Sequence, residues 1–181
     1  MNTFNQVSQW IQEDDFRVSC LRQVHEVMKH EWYIAAGFVR NLVWDKLHEN
    51  ERITSLNDID VIYFNPVDIS PDIDEEIEHH LVNEMPFCNW SVKNQARMSL
   101  NHGHAAYKGC IEAMSYWPEI QTAIGATITP KGMVNIESPF KAKEVIKLSI
   151  TRNHKCTSSV FSSRVSEKGW LNTWPKLKIE T

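Results

Sequence analysis

The sequence predicts an α/β fold, α+β by strict classification, with a mixed, largely antiparallel sheet and flanking helices. Short segments rich in β-branched and aromatic residues alternate with segments whose apolar residues recur at helical spacing. The chain has 181 residues, of which 42% are hydrophobic, and this length favours one domain with a substantial core. We expect N-terminal helices in residues 1–30, a core in residues 31–150 and a basic tail packed on that core in residues 151–181.

Helices are predicted where apolar residues recur every three or four positions. Asp14 or Asp15 is a candidate N-cap of the second helix, because a short acidic side chain accepts hydrogen bonds from the free amides there. Trp170 and Trp174, four positions apart, are expected to share one face of the last helix and to dock the tail. The predicted helices span residues 4–11, 16–28, 38–48, 72–83, 94–100, 109–116, 140–150 and 167–174.

Strands are predicted in short apolar segments bounded by glycine, proline or asparagine. The strongest is the segment DIDVIYF at residues 58–64, and another precedes Gly37. Two further strands flank Pro130 and Lys131 as a hairpin. The polar, serine-rich residues 152–164 are expected to form a loop. The predicted strands span residues 32–36, 58–64, 88–94, 120–129 and 132–136.

The charge distribution restricts the possible partners. The net charge is −4, so no overall basic field exists to hold a long nucleic acid. Residues 1–140 carry 10 Lys and Arg against 20 Asp and Glu, whereas residues 141–181 carry 9 against 3. This basic tail is either a solvated segment or a flank that helps to hold a polyphosphate. No apolar run has the length of a membrane span and no signal-peptide pattern is found, so we expect a cytoplasmic protein that binds no membrane.

The cysteines and histidines do not form a recognisable metal module. Four dispersed cysteines without a CxxC pair are typical of reduced thiols in an intracellular protein. His102 and His104 lie near Cys110, but their spacing matches no zinc site, and surface histidines are expected.

Asp58 and Asp60 are the first candidate functional pair. Successive strand residues alternate between faces, so these two carboxylates are expected on the same face, about 6–7 Å apart, while Ile59 and Val61 enter the core. Two neighbouring carboxylates repel each other, and a divalent cation relieves that repulsion. A DxD pair is common, and by itself it is more often a solvated strand end than a metal site.

A second candidate feature is the turn between a strand and a helix at Ala36 and Gly37. The free amides at a helix N-terminus suit a phosphate group, and glycine permits a close backbone approach. Arg40 lies one helical turn later, where its guanidinium could reach phosphate oxygens or pair with an acid. A simple strand-to-helix turn and a structural salt bridge are the alternatives.

Together these segments resemble the head domain of the DNA polymerase β nucleotidyltransferase superfamily, with a signature similar to that of CCA-adding enzymes. The chain more specifically resembles a small bacterial nucleotidyltransferase-like family that was formerly a domain of unknown function. The segments that carry this resemblance are WYIAAGFVRNLVWDKLH (32–48), LNDIDVIYF (56–64), WSVKNQARM (90–98), WPEIQTAIGATI (117–128) and WPKL (174–177).

The resemblance implies transfer of a nucleoside monophosphate from a nucleoside triphosphate to a small-molecule or protein acceptor. It implies that Asp58 and Asp60 are the catalytic residues and the ligands of Mg²⁺ or Mn²⁺. It also implies that Ala36 and Gly37 pack against the triphosphate, while Arg40 contacts phosphate or braces the turn.

On the next strand, Lys93 could meet a phosphate and Asn94 could bind weakly at the same site. Asn94 to Arg97 either read a base edge or cap a helix.

Three departures from the superfamily pattern leave an alternative open. Ala36 replaces the usual first glycine, Asn41 replaces the usual acid, and the common third carboxylate has no clear counterpart. The alternative is a catalytically inactive nucleotide-binding or interaction protein that retains the fold. An acid on the strand that faces Asp58 and Asp60 would favour the enzyme, whereas only Lys93 or Asn94 there would favour the binding protein.

Overall fold

The computed structural model describes residues 3–51 and 53–181. No helix in these ranges is long and apolar enough to cross a membrane. The N-terminal helices begin where the sequence supplies caps, because the side chains of Thr3 and Asp14 accept hydrogen bonds from the first turns that follow them. The helices are α1 (Phe4–Gln12), α2 (Asp15–Val27), α3 (Gly37–His48), α4 (Pro71–Glu84), α5 (Gln95–Asn101), α6 (Cys110–Met114), α7 (Ala142–Val145), α8 (Ser158–Lys168) and α9 (Trp170–Thr173).

The strands form one five-stranded sheet and one small two-stranded sheet. The large sheet has the order β3-β2-β1-β4-β5, in which β2 and β3 are parallel and every other neighbouring pair is antiparallel. The predicted mixed, largely antiparallel sheet with flanking helices is therefore confirmed. The strands are β1 (Glu31–Ala35), β2 (Ile59–Phe64), β3 (Trp90–Asn94), β4 (Gly125–Ile128), β5 (Val134–Glu137), β6 (Ser149–Thr151) and β7 (Lys178–Glu180).

The two faces of the large sheet are covered differently. Ile34, Val61 and Val92 lie side by side in the register and are fully buried in the main core. On the opposite face, Ala35 and Ile62 pack in a smaller apolar cluster that α6 covers. Because α6 covers only part of this face, the sheet surface near the start of β2 stays open.

The C-terminal third differs from the sequence prediction. Residues 140–150 were expected to form one helix, but α7 has four residues and is followed by β6, which pairs with β7. Residues 152–164 were expected to form a loop, but α8 begins at Ser158. Phe161 and Val165, four positions apart, are buried in the core, and their burial outweighs the low helix propensity of the serines around them.

The tail docks on α3 through its tryptophans. The ring of Trp44 makes edge contacts with Trp170 and Trp174, at centroid separations of 5.7 and 5.1 Å. The indole Nε1 of Trp174 donates a 2.8 Å hydrogen bond to Asp45, which is buried. This interface brings α8 and α9 to the edge of the open sheet face.

Candidate active site

Asp60 lies on the open face of the sheet, at the start of β2. Its neighbours in the register are Ala35 on β1 and Ser91 on β3, whereas the adjacent Val61 points into the core. Burial, and secondarily the charge of Asp58, raise the pKa of the Asp60 carboxyl above its usual range. Asp58 lies just before β2, which begins at Ile59, so the expectation that the two carboxylates share one face of the strand stays a prediction.

Asp60 borders a cleft of about 350 Å³. The cleft brings together Ala36 from the turn before α3, Lys93 from β3, Thr122 and, from α8, Arg164. Its other walls are Ile62, Gln95, Met98, His102, Trp117 and Pro118.

The turn between β1 and α3 has an unusual backbone. Ala36 adopts φ 53° and ψ −122°, a conformation that glycine adopts far more readily, so the turn stores strain. Its amide donates to the carbonyl of Ile124, and its carbonyl accepts from the amide of Arg40 at 2.9 Å. No described side chain caps the N-terminus of α3, and the amide of Val39 also donates to the carbonyl of Ala36, so the amides of Gly37 and Phe38 are the ones left for an anion.

Arg40 braces this turn from inside the protein. Its guanidinium donates to Thr122 Oγ1 at 3.0 Å and to Asn41 Oδ1 at 2.9 Å. It also lies between the rings of Trp44 and Trp170, 5.0 and 4.7 Å from their centroids. Only 8% of Arg40 is exposed, and burial lowers its pKa to about 10, so it is still charged at neutral pH. Of the two roles expected for Arg40, this geometry favours bracing over phosphate contact.

Arg164, a residue that the sequence analysis did not select, lines the cleft with Asp60, where its charge acts alongside that of Arg40. Its Nε donates to Glu119 Oε1 at 2.7 Å, and Glu119 is only 1% exposed. This buried partner fixes the guanidinium at the mouth of the cleft, where 34% of the side chain stays exposed. Lys168, one turn later on α8, adds a further positive charge that acts on Asp60. The excess of basic residues in the tail was the available signal.

The residues of β3 separate into two groups. Ser91 and Lys93 pair with Asp60 and Ile62, so they share the open face, and Lys93 lines the cleft. Asn94 points away from it and is fully buried. Its side chain accepts from the amides of Asn65 and Ala96 and donates to main-chain carbonyls. The expectation that Asn94 contacts nucleotide does not fit this geometry, whereas its alternative role as a helix cap does.

A family model described as "Nucleotidyltransferase" matches residues 22–179. The chain belongs to this nucleotidyltransferase family. The resemblance inferred from the sequence motifs is therefore confirmed, and nucleotidyl transfer is the activity class of the family. No curated protein gives a significant match.

Two solved structures share the fold of this nucleotidyltransferase. One is a protein whose NMR structure reveals a CCA-adding enzyme head domain; it is 24% identical, has a TM-score of 0.84, and the match covers 98% of this chain and 95% of that chain. The other is the Thermotoga maritima CCA-adding enzyme complexed with tRNA, which is 14% identical with a TM-score of 0.62. That match covers 97% of this chain but 42% of the enzyme, so this chain corresponds to less than half of it.

Asp58 and Asp60 are the residues that would hold a metal ion. Within residues 3–51 and 53–181, no group of three or more His, Cys, Asp and Glu residues is arranged to hold a metal ion. Asp58 and Asp60 nevertheless suit Mg²⁺, which is commonly held by one or two carboxylates together with water and substrate phosphates. Burial, and secondarily the charge of Asp58, raise the pKa of Asp60, and a nearby cation would stabilise its charged form. The donor set therefore fits a metal that arrives with its nucleotide.

Proposed function

We propose that this nucleotidyltransferase transfers a nucleoside monophosphate from a nucleoside triphosphate to a small-molecule or protein acceptor, with Mg²⁺ or Mn²⁺. The observation that carries the proposal is the convergence of Asp60, Ala36 and Arg164 on one cleft. Asp58 and Asp60 would hold the cation, which neutralises phosphate charge when bound. The acidic net charge does not favour a long nucleic acid as acceptor.

The positions of the positive groups support a direction for the triphosphate. Ala36, at the N-terminus of α3, and Arg164 line the cleft with Asp60, so the β- and γ-phosphates would lie between this helix end and the guanidinium. Lys168 and Lys93 add charge at the rim. Arg40 would act indirectly, because it holds the turn in place and is not among the residues that line the cleft.

The reaction follows from this arrangement. An acceptor hydroxyl oxygen forms the new bond to the α-phosphorus, and the bond from that phosphorus to the bridging oxygen breaks. Pyrophosphate leaves with the electron pair, and the proton of the hydroxyl passes to water in the open cleft. The contribution of the protein is positioning and stabilisation of the developing charge.

Ligand-dependent thermal stability tests the site. Each of the four nucleoside triphosphates with Mg²⁺ or Mn²⁺ is added to the wild type, and at least one combination is expected to raise the melting temperature. The Asp58→Asn/Asp60→Asn variant should lose that rise. Glu75→Gln/Glu76→Gln is a matched control, because it removes two exposed carboxylates from α4 and should respond as the wild type does. An unchanged rise in the aspartate variant would refute the metal role.

A second candidate function is supported by the strands beside β2. Ser91 on β3 and Ala35 on β1 are the register neighbours of Asp60, and neither is an acid. An acid on the strand beside β2 was expected to favour the enzyme, so its absence at these positions favours a nucleotide-binding protein without turnover. Pyrophosphate release and transfer from α-labelled nucleotide into cell extract separate the two candidates. If wild-type protein binds nucleotide but releases no more pyrophosphate than Asp60→Asn, the enzyme proposal is wrong and the binding protein stands.

A further inference from the structure

A second cavity of about 420 Å³ adjoins the catalytic cleft. The two spaces share four wall residues, namely Gln95, His102, Trp117 and Pro118. Helix α8 runs past both, because Val160 lines the second cavity and Arg164, one turn later, lines the cleft. A molecule in the second cavity would therefore lie next to a nucleotide bound in the cleft.

This second cavity, called the aromatic pocket below, is lined by rings that hold one another in place. The rings of Tyr107 and Tyr116 are stacked with centroids 5.3 Å apart, and the His104 ring lies 4.5 Å from that of Tyr116. The Nδ1 atom of His104 is hydrogen-bonded to the hydroxyl of Tyr107, which is buried. A wall of mutually packed rings is rigid, so a ligand would meet a preformed surface.

Among the described residues that line the aromatic pocket, Lys155 is the only lysine, arginine or acidic residue, although Glu112 lies close enough to act on Tyr107. The ammonium of Lys155 lies 3.8 Å from the centroid of the Tyr116 ring and donates to Ser115 Oγ at 2.8 Å. No carboxylate lines the aromatic pocket, and Lys155 has no acidic partner among the described residues. His102 and His104 are further nitrogen donors on the same wall. In a chain of net charge −4, this is a local surface for an anionic group.

We propose that the aromatic pocket binds the acceptor, and that the acceptor is a small molecule with an anionic group, a carboxylate or a phosphate, attached to an apolar or ring-shaped body. The inference rests on the proposed function. Lys155 would pair with the anion, the rings would pack against the body, and a hydroxyl of the acceptor would reach the cleft past Gln95 and His102.

The base of the nucleotide is the competing occupant. A nucleobase is uncharged at neutral pH, so it could accept a hydrogen bond from Lys155 but would leave the charge of this lysine without a counter-ion. The triphosphate already has Arg164 and Lys168 on the cleft side. The charge of the aromatic pocket therefore favours the acceptor over the base.

The test uses the whole protein and a panel of small hydroxylated carboxylates and phosphate monoesters. Each compound is paired with its neutral amide or alcohol analogue, for example 4-(hydroxymethyl)benzoate with 4-(hydroxymethyl)benzamide. Binding is followed by NMR through the ring signals of Tyr107 and Tyr116. Anionic members are expected to shift these signals at concentrations at which their neutral partners do not.

Lys155→Met is the decisive variant, because Lys155 is exposed and its loss leaves the core intact. It should weaken binding of the anionic compounds about tenfold or more, and leave the thermal shift with nucleotide and metal unchanged. Lys131→Met, which removes an exposed lysine from the hairpin, should change neither.

Three results would overturn the inference: no anionic compound binds the wild type, the anionic compounds bind Lys155→Met equally well, or Lys155→Met weakens nucleotide binding as much as anion binding. The last result would assign the aromatic pocket to the nucleotide. Failure of the proposed function gives a different result from failure of this inference. Nucleotide binding would then be intact in Asp58→Asn/Asp60→Asn, whether or not the anionic compounds bind.

Discussion

Replacing Arg40 by methionine should damage stability far more than nucleotide affinity. The change removes two hydrogen bonds from a charged donor, each worth about 1.5–3 kcal/mol, and two cation–π contacts of about 1 kcal/mol each. It also removes the cost of burying the charge, which is several kcal/mol and is visible in the lowered pKa of Arg40. Methionine keeps the aliphatic stem between the tryptophan rings. The net expectation is a loss of about 3 kcal/mol in the free energy of unfolding.

For a chain of this length, such a loss lowers the melting temperature by about 6–12 °C. Urea denaturation gives the free energy, and a titration at a temperature at which both proteins are folded gives the nucleotide affinity, which should fall less than threefold. The contrasting variant is Arg164→Met/Glu119→Gln, in which the glutamine avoids leaving a buried, unpaired carboxylate. It should lose about 10–100-fold in nucleotide affinity. If Arg40→Met unfolds like the wild type but binds nucleotide as weakly as this variant, the bracing role is wrong.

Three further predictions concern single positions. Because the pKa of Asp60 is raised in the folded state, its charge destabilises the protein above that pKa, and this penalty is relieved as the pH falls through it. In urea melts without metal, Asp60→Asn should therefore be more stable than the wild type at pH 8, and the difference should shrink on acidification. A difference that does not change with pH would contradict this. Asp45→Ala removes the hydrogen-bond acceptor of Trp174 and of the loop amide of Thr54. It should lower the free energy of unfolding by about 3–5 kcal/mol and change the tryptophan fluorescence. A decrease below about 1 kcal/mol would be inconsistent with this role of Asp45. The free energy of unfolding of Ala36→Gly should stay within about 1 kcal/mol of the wild type, because the relief of backbone strain is offset by the greater entropy of the unfolded chain. Ala36→Val should lose more than about 2 kcal/mol, as measured by calorimetry. Equal stability of the valine variant would argue against a strained turn.

Local sequence patterns were enough to predict the strand and the strand-to-helix turn that carry the candidate site. Within β2, the alternation places Asp60 beside Ala35 on the open face and Val61 in the core, as the sequence pattern predicts. Gly37 after an apolar strand and before a helical stripe likewise predicts the turn. Helix caps such as Asp14 act within three residues and are readable for the same reason.

The direction of long polar side chains was decided by tertiary packing. Arg40 turns inward because Trp170, 130 positions later, closes over its guanidinium. Asn94 follows the strand alternation to the buried side, where the loop at Asn65 supplies its partners. Arg40 also has local partners in Asn41 and Trp44, but Trp170 and Thr122 are distant in sequence, as Asn65 is from Asn94.

The sequence by itself determined the fold class and the family, since each depends on residues close together in the chain. Only the tertiary structure decided that Arg164 lines the cleft with Asp60 and where a second ligand could lie. Arg164 belongs to a serine-rich segment of weak helix propensity, and α8 forms because Phe161 and Val165 find a core to enter. The aromatic pocket likewise joins Tyr107 to Lys155 across 48 positions of sequence. Contacts of this kind arise from burial of apolar surface between distant segments, which no local pattern encodes.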